Sequence, residues 1–334
     1  PSTPPPGDAE CFPIIEYAHG TTGSAYSMVD ETSGRLAARG LAAISIDMPL
    51  HGERDGGRTF DKNAASFNFI NPNSARSMFR QAAIDTFSLT AFINNGLTIE
   101  ASSSPTGEAI CFDTTKIGYF GHSQGGLSGS IAAAYEKDIS AWVISGAGGG
   151  LGITVQERKD FADFEELVKF LLQIPEEEEL TELHPVHSVI QTAVEITDPL
   201  NYARLWQAAH SDTGAIGPHL LITSGCLDEQ TPFRSSNALA LAASVPLLEP
   251  VAVEIPEYQW LGLPYASAPL AANSSNGATQ GYLQWCGAIT SAHLSNHFVI
   301  FNRPEAIHAS MRFLESWAYE DEVIIERVED ADVR

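Results

Sequence analysis

The chain has no long hydrophobic run and few basic residues. Gly, Pro or charged residues interrupt every apolar stretch before it reaches the roughly 18–20 residues that a membrane-spanning helix needs. Only 18 Lys and Arg stand against 42 Asp and Glu, which gives a formal net charge of -24. Such a charge repels phosphate, so neither a nucleic acid nor an anionic membrane is expected as a partner. A neutral substrate is the natural expectation.

Cysteine is also scarce, and its spacing excludes the common metal and redox motifs. The four cysteines form no Cys-x-x-Cys pair, and no histidine stands at zinc-ligand spacing from them. We therefore expect no metal site. The sequence carries no signal for an oligomeric state.

What the chain does have is 334 residues with 44% apolar side chains, enough for one large domain or for one domain with an inserted cap. Helical patterns alternate with short β-rich apolar runs, which are Pro13–Ala18, Leu41–Asp47, Lys116–Phe120, Ile139–Ser145, His219–Thr223 and Val251–Ile255. This alternation predicts an α/β fold with a doubly wound, mostly parallel sheet.

The domain boundaries follow from the places where the alternation stops. Residues 1–12 are interpreted as a linker stump, and residues 13–145 and 211–334 as the core. Residues 146–210 open with GAGGGLG, continue with the amphipathic segment FADFEELVKFLLQI, and predict a helical cap, either packed permanently or acting as a mobile lid. Residues 257–293 are rich in Ala, Ser, Asn and Gly and predict long irregular loops.

The strongest local signal is the segment KIGYFGHSQGG, in which an apolar run meets Gly121-His122-Ser123-Gln124-Gly125. This is the G-x-S-x-G nucleophile elbow. A serine in a tight turn between a strand and a helix needs small neighbours, because a Cβ atom on either flank would collide with the strand or the helix. The sequence therefore predicts Ser123 as a nucleophile, with Gly121 and Gly125 as the elbow glycines.

A serine hydroxyl needs an imidazole to take its proton and a carboxylate to orient that imidazole. In proteins with this elbow the three residues come in the order Ser, acid, His. Asp228 follows a predicted strand by a few residues, and His297 directly precedes a predicted helix that starts near Pro304. We assign Asp228 as the acid and His297 as the base; Glu229 and His293 are their nearest rivals.

An oxyanion hole needs two backbone N–H donors, one of them from the residue after the nucleophile. Gln124 supplies that donor. The second is expected in the segment 19–23, HGTTG, where a predicted strand ends. We assign it to the backbone N–H of Thr21, whose side chain would then be replaceable, and keep Thr22 as the alternative.

In this order and context, these residues resemble the α/β-hydrolase superfamily across essentially the whole chain. The segments IDMPLHGERDG, MFRQAAIDTF, LHPVHSVIQ and DPLNYA also look like a group of bacterial extracellular lipases that often carry a separate amino-terminal domain. The resemblance implies carboxylic-ester hydrolysis of a small-molecule or lipid ester through an acyl-enzyme, without a cofactor. The chain departs from the complete fold because nothing before Pro13 could form the first two strands of the sheet.

Three other functions keep the same fold. A serine peptidase or a hydrolase of polymeric esters would use the same triad. A binding protein with a vestigial site would not react with a fluorophosphonate.

The resemblance also places the cysteines in pairs. Cys11 and Cys111 precede two strands that are parallel neighbours in the hydrolase sheet, so a bridge between them is expected, against an alternative of two free thiols. Cys226 and Cys286 would form a second bridge that ties the acid loop to the segment carrying the histidine. Two bridges would indicate a secreted, periplasmic or cell-surface protein.

Overall fold

The computed structural model describes residues 11–68, 71–158, 160, 163–209, 217–286 and 294–328. The strands are β1 (Phe12–Ala18), β2 (Ala42–Ser45), β3 (Thr98–Ile99), β4 (Ile110–His122), β5 (Ile139–Ser145), β6 (His219–Gly225), β7 (Leu247–Glu249), β8 (Tyr265–Ser267), β9 (Leu270–Ala271), β10 (Gln280–Trp285) and β11 (Ile324–Ile325). Eight of them form a parallel sheet in the order β2-β1-β4-β5-β6-β10-β7-β8. Strand β3 pairs antiparallel with the start of β4, and β9 pairs with β11.

Helices connect the strands and cover both faces of the sheet. They are α1 (Gly34–Ala37), α2 (Lys62–Ser66), α3 (Pro72–Asn94), α4 (Gln124–Ala132), α5 (Leu151–Glu157), α6 (Phe164–Leu172), α7 (Pro185–Val194), α8 (Leu200–Ala203), α9 (Trp206–Ala209), α10 (Phe233–Ala243), α11 (Pro256–Leu261), α12 (Leu294–His297), α13 (Val299–Asn302) and α14 (Pro304–Tyr319). Within the described ranges, none of these helices combines the length and the apolar character needed to cross a membrane.

The central strands are buried on both faces, which is why they read as continuous apolar runs. Tyr119 and Trp142 point to the face covered by α3 and α4. Their neighbours Phe120 and Val143 point to the opposite face, against α13 and α14. Because successive side chains alternate, each strand contributes to two hydrophobic cores. The predicted doubly wound, mostly parallel α/β sheet is confirmed.

One predicted strand is wrong. Residues 251–255 run between Pro250 and Pro256 without strand structure, and the backbone N–H of Val253 donates to the Gln284 side chain at 3.0 Å. The place in the sheet next to β6 belongs instead to β10, which lies inside the stretch 257–293 predicted as irregular loops. The glutamines of β10 concealed the strand, since they are polar in sequence but buried in the fold.

Residues 146–209 follow β5, and their described part holds helices and connecting turns. Helix α6 falls within the predicted amphipathic segment. Its residues Phe164 and Val168 are buried, whereas Leu171 and Leu172 are exposed, so only part of the predicted apolar face packs inward. Phe161, which the sequence also assigned to that face, lies outside the described residues.

A disulfide joins Cys11 to Cys111, as the strand order predicts. The two Cα atoms are 4.8 Å apart, and both residues lie near the beginnings of the paired strands β1 and β4. The bridge is thus at the amino edge of the sheet and closes a loop with a sequence separation of 100 residues.

Removing this bridge should destabilise the protein. In the chain-entropy account, a loop of this length lowers the entropy of the unfolded chain, so Cys11→Ser/Cys111→Ser should lose about 2–5 kcal/mol of unfolding free energy. Urea denaturation without reductant measures the loss. An unchanged midpoint would show that the bridge does not constrain the unfolded chain.

Candidate active site

Ser123 occupies the turn between β4 and α4. Its backbone has φ +54° and ψ −119°, a conformation that non-glycine residues rarely adopt. The backbone N–H of Ser123 donates to the carbonyl of Ser145 at 2.8 Å, and the side chain is half-buried. The turn is therefore anchored to β5 while the hydroxyl stays accessible.

The glycines around Ser123 allow three backbone segments to meet. A Cβ at Gly125 would lie 2.1 Å from the carbonyl oxygen of Ala18, and one at Gly121 would lie 2.6 Å from the Gly125 oxygen. A Cβ at Gly20 would lie 3.2 Å from the Cβ of Ser123. The two elbow glycines singled out in the sequence are thus required by close packing, and Gly20 brings the loop after β1 against the nucleophile.

Asp228 and His297 form a buried pair at the carboxyl edge of the sheet. His297 Nδ1 is 2.7 Å from Asp228 Oδ2, and both side chains are almost completely buried. The other carboxylate oxygen, Oδ1, accepts the backbone N–H groups of Gln230 and Thr231 at 2.9 Å each. These bonds fix the carboxylate, which in turn fixes the imidazole and its tautomer.

The second ring nitrogen of His297 is left available for proton transfer. In the described part of the chain, Nε2 is buried and has no hydrogen-bond partner. The imidazole lies against the elbow, since its ring centroid is 4.7 Å from that of His122, the residue before Ser123. The hydrogen bond between the nucleophile and the base often forms only when substrate is bound.

The structure bears on one of the two rivals for these roles, Glu229. Asp228, and not the adjacent Glu229, is the carboxylate that contacts His297. His293 lies outside the described residues. Asp198 accepts the backbone N–H groups of Gly150 and Leu151 and caps helix α5, which is a structural role.

Sequence reasoning missed His122 as a component of the site. Its ring packs between the ring of His297 and those of Phe298 and Phe301. Burial, with a smaller contribution from nearby His297, holds the pKa of His122 well below its usual range. His122 is thus a neutral, flat surface for the imidazole of His297. Its position inside the elbow motif was the available signal.

The choice between Thr21 and Thr22 depends on one hydrogen bond. The backbone N–H of Thr22, at φ +70°, donates to Nε2 of His51 at 3.2 Å. Among the described residues, the backbone N–H of Thr21 has no acceptor. Thr21 and Gln124 therefore remain the two donors that could meet an oxyanion beside Ser123.

The side chain of Gln124 links the two sides of this hole. Its Oε1 accepts the hydroxyl of Thr21 at 2.8 Å, and its Nε2 lies 3.3 Å from Sδ of Met78 and 3.5 Å from Sδ of Met48. The sequence-based expectation treated the Thr21 side chain as replaceable. The hydrogen bond gives the hydroxyl a role in holding the loop.

A second loop, residues 47–53, supports the segment 19–25, which contains Thr21. Asp47 accepts the backbone N–H groups of Ala25 and Glu53 at 2.7 and 2.8 Å. His19 Nε2 accepts the N–H of Met48 at 3.0 Å, and its Nδ1–H donates to the Gly20 carbonyl. Burial lowers the pKa of His19 to about 4, so this histidine is a neutral structural group at pH 7.

The Cys226–Cys286 disulfide is present beside the acid loop, with a Cα–Cα distance of 4.9 Å. Cys226 follows β6 and Cys286 follows β10, so this bridge is at the carboxyl edge of the sheet.

Among the described residues, no three His, Cys, Asp or Glu side chains come together as a metal site.

A buried carboxyl group lies behind the elbow. Glu16, on β1, accepts the hydroxyl of Thr90 at 2.8 Å through Oε1. Among the described atoms its Oε2 has no partner. Burial raises the pKa of Glu16 to about 8, so the group holds its proton in the folded protein at pH 7.

Comparison with solved structures gives the fold a name. An acetyl xylan esterase from Paenibacillus sp. R4 is 15% identical with a TM-score of 0.53, over 94% of this chain and 77% of that one. A 2,6-dihydroxy-pseudo-oxynicotine hydrolase is 13% identical with a TM-score of 0.52, over 97% of this chain and 66% of that one.

The chain has the α/β-hydrolase fold. An acylaminoacyl peptidase from Pyrococcus horikoshii, 13% identical, also superposes with a TM-score of 0.50, over 98% of this hydrolase-fold chain. The chain spans only 39% of that peptidase and 66% of the pseudo-oxynicotine hydrolase. No protein-family profile and no curated protein sequence matches the chain.

Thr21→Val should slow the reaction at this site. The substitution keeps the backbone N–H but removes the hydrogen bond from the hydroxyl to Gln124. A neutral hydrogen bond contributes about 0.5–1.5 kcal/mol, so its loss predicts a roughly 2- to 10-fold fall in kcat. Thr21→Ser keeps the hydroxyl and serves as the matched control. Steady-state kinetics on a soluble ester measure both, and equal rates for the two variants would contradict the role of the hydroxyl.

Glu16→Gln should stabilise the protein at alkaline pH. In the unfolded chain the Glu16 carboxyl releases its proton near its ordinary pKa of 4.5, whereas in the folded protein it keeps the proton up to a pKa of about 8. The free energy of unfolding of the wild type therefore falls as the pH rises from 4.5 to 8. Because the Gln amide does not titrate, the variant lacks this fall. Its free energy of unfolding should exceed that of the wild type by on the order of 4 kcal/mol at pH 8 but by little at pH 4.5.

Urea denaturation at both pH values tests this. Glu257→Gln, at an exposed glutamate, is the control. If Glu16→Gln raised the free energy of unfolding equally at pH 4.5 and pH 8, the result would contradict a buried, protonated Glu16.

Proposed function

We propose that this protein is a serine hydrolase that cleaves neutral carboxylic esters through an acyl-enzyme. The observation that carries the proposal is the buried Asp228–His297 pair beside the strained turn of Ser123. A purely structural turn would need neither an unpartnered imidazole nitrogen nor a fixed carboxylate behind it. The pair supplies both.

In the first step, Oγ of Ser123 attacks the ester carbonyl carbon while Nε2 of His297 takes the hydroxyl proton. The negative charge on the carbonyl oxygen is met by the N–H groups of Thr21 and Gln124, each worth roughly 3–4 kcal/mol of barrier lowering. Asp228 stabilises the imidazolium through Nδ1. The leaving alkoxide then takes the proton from Nε2 as the C–O bond breaks.

In the second step, water attacks the acyl-enzyme. His297 takes one proton from the water, and the same two N–H groups stabilise the second oxyanion. Collapse breaks the bond to Ser123, returns the proton to its oxygen and releases the carboxylic acid. The mechanism needs no metal or cofactor.

The net charge bears on the substrate of this enzyme, and the disulfides bear on its cellular compartment. A net charge of -24 disfavours anionic substrates and anionic membranes and is compatible with a neutral small-molecule or lipid ester. Two disulfides are typical of proteins that fold in an oxidising compartment. We therefore propose a secreted, periplasmic or cell-surface enzyme, in keeping with the resemblance to bacterial extracellular lipases.

Variants of the three residues test the proposal on p-nitrophenyl butyrate. Ser123→Ala and His297→Ala should lower kcat by about 10⁴-fold or more, because they remove the nucleophile and the base. Asp228→Asn should also lose several orders of magnitude, whereas Glu229→Gln, at the next carboxylate along the chain, should stay near the wild-type rate.

Two outcomes would refute the assignment: full activity in Ser123→Ala, or equal activity in Asp228→Asn and Glu229→Gln. Labelling by a fluorophosphonate adds a second readout, since a hydrolase-fold binding protein should not react. A parallel assay on a p-nitroanilide separates an esterase from a peptidase.

A further inference from the structure

An apolar cavity, open to solvent on one side, lies between α3 and the helices that follow β5, and the catalytic steps above leave it unused. It has a volume of about 240 Å³ and lies between helices α3, α5, α6 and α7. Its walls include Phe79 of α3, Val155 of α5, Val168 of α6 and Ala193 of α7. Such an apolar lining favours apolar ligands, because water beside it finds few polar partners.

The mouth of the cavity is also apolar, although it faces solvent. Leu172 is 54% exposed and Val189 is 68% exposed, and both line the opening. Phe170, on the same helix as Leu172, is 79% exposed. Large apolar side chains exposed around one opening are characteristic of a site that receives an apolar ligand.

Helix α3 connects this cavity to the oxyanion hole. Met78 contacts the Gln124 side chain, which holds Thr21, with an Sδ–Nε2 distance of 3.3 Å. Ala75 and Phe79 are within one helical turn of Met78 and line the cavity. The cavity therefore begins one turn of helix away from the residue that positions the oxyanion donors.

The segment after β5 makes a second connection, to the base. A Cβ at Gly146 would lie 3.3 Å from Cε1 of His297, and Leu151, which starts α5, lines the cavity. Five residues of fully extended chain span at most about 18 Å, so the Cα atoms of Gly146 and Leu151 lie no farther apart than that. Helix α3, which contacts Gln124, and the segment that starts at Gly146 beside His297 thus both lead to walls of the cavity.

We infer that this cavity binds the aliphatic acyl chain of the ester substrate. The inference rests on the proposed ester hydrolysis and names the substrate class for it. An α-helix, which is 10–12 Å thick with its side chains, is too large for the space, whereas a single unbranched chain fits.

The expected substrates are esters whose acyl chain is longer than acetyl. Each methylene transferred from water into the cavity should raise kcat/KM about fourfold until the chain fills the cavity. A series of p-nitrophenyl esters from acetate to decanoate, assayed below the concentration at which they form micelles, measures this dependence. A flat profile, or a profile that falls from acetate onward, would overturn the inference.

Ala193→Phe fills the cavity from α7 and separates this site from the catalytic groups. It should lower kcat/KM for the octanoate ester at least tenfold and leave the acetate ester within twofold. Thr192→Phe is the matched control, because Thr192 is exposed on the same helix and does not line the cavity. Equal losses on acetate and octanoate, or equal effects of the two variants, would count against the site.

A binding measurement keeps this test independent of turnover. Calorimetry with p-nitrophenyl octyl ether, which has no ester carbonyl, should give a Kd that Ala193→Phe raises at least tenfold and Thr192→Phe does not. If Ala193→Phe fails to fold, Thr154→Phe fills the same cavity from α5. An ether Kd unaffected by the filling variant would defeat the cavity proposal.

The failure of the two proposals can be told apart. Absence of ester turnover and of fluorophosphonate labelling at Ser123 would defeat the proposed function, while the ether titration would still report on the cavity. Turnover that depends on Ser123 but shows no chain-length difference between Ala193→Phe and Thr192→Phe would defeat the cavity proposal alone.

Discussion

The close approach of three backbone segments at Ser123 is the constraint on which the rest of the site depends. Helix α4 begins so near to β1 that the Gly125 Cα has no room for a Cβ beside the Ala18 carbonyl. Ser123 keeps its positive φ because β4, α4 and the N–H bond to Ser145 fix both sides of the turn. The strain at one residue is therefore balanced by packing spread over the central sheet.

The segment after β1, residues 19–25, is held beside Ser123 by bonds to another loop. The backbone N–H groups of Thr22 and Ala25 donate to side chains of residues 47–53. Loop 47–53 holds it through Asp47 and through the neutral imidazoles of His19 and His51. Burial keeps such groups uncharged, and as neutral imidazoles they accept backbone N–H bonds through Nε2.

The helices that follow β5 are packed less completely than the central strands. Much of the apolar surface on helix α6 is exposed or lines a cavity, whereas side chains of the central strands are almost completely enclosed. A core packed to full density leaves no space for a ligand. An element that packs incompletely over the carboxyl edge of the sheet provides that space without loosening the strands that hold Ser123 and Asp228.

The sequence by itself determined the parts of this protein that depend on local pattern. Apolar runs predicted β1, β5 and β6, the glycines on either side of Ser123 predicted the elbow, and chain order pointed to Asp228 and His297, which the structure brings together. These signals are local because a buried parallel strand needs apolar residues along its own length, and a strained turn needs small residues at its own flanks.

Only the tertiary structure decided the features that depend on partners far away in sequence. Strand β10 was hidden because buried Gln280 accepts from the side chain of Gln207 and donates to the carbonyl of Pro218, both on other segments. The bond from the Thr22 N–H to His51 and the packing of His122 against the ring of His297 likewise join residues far apart in the chain. A polar residue reads as exposed until its hydrogen-bond partner is known, and that partner is supplied by the fold rather than by the neighbouring residues.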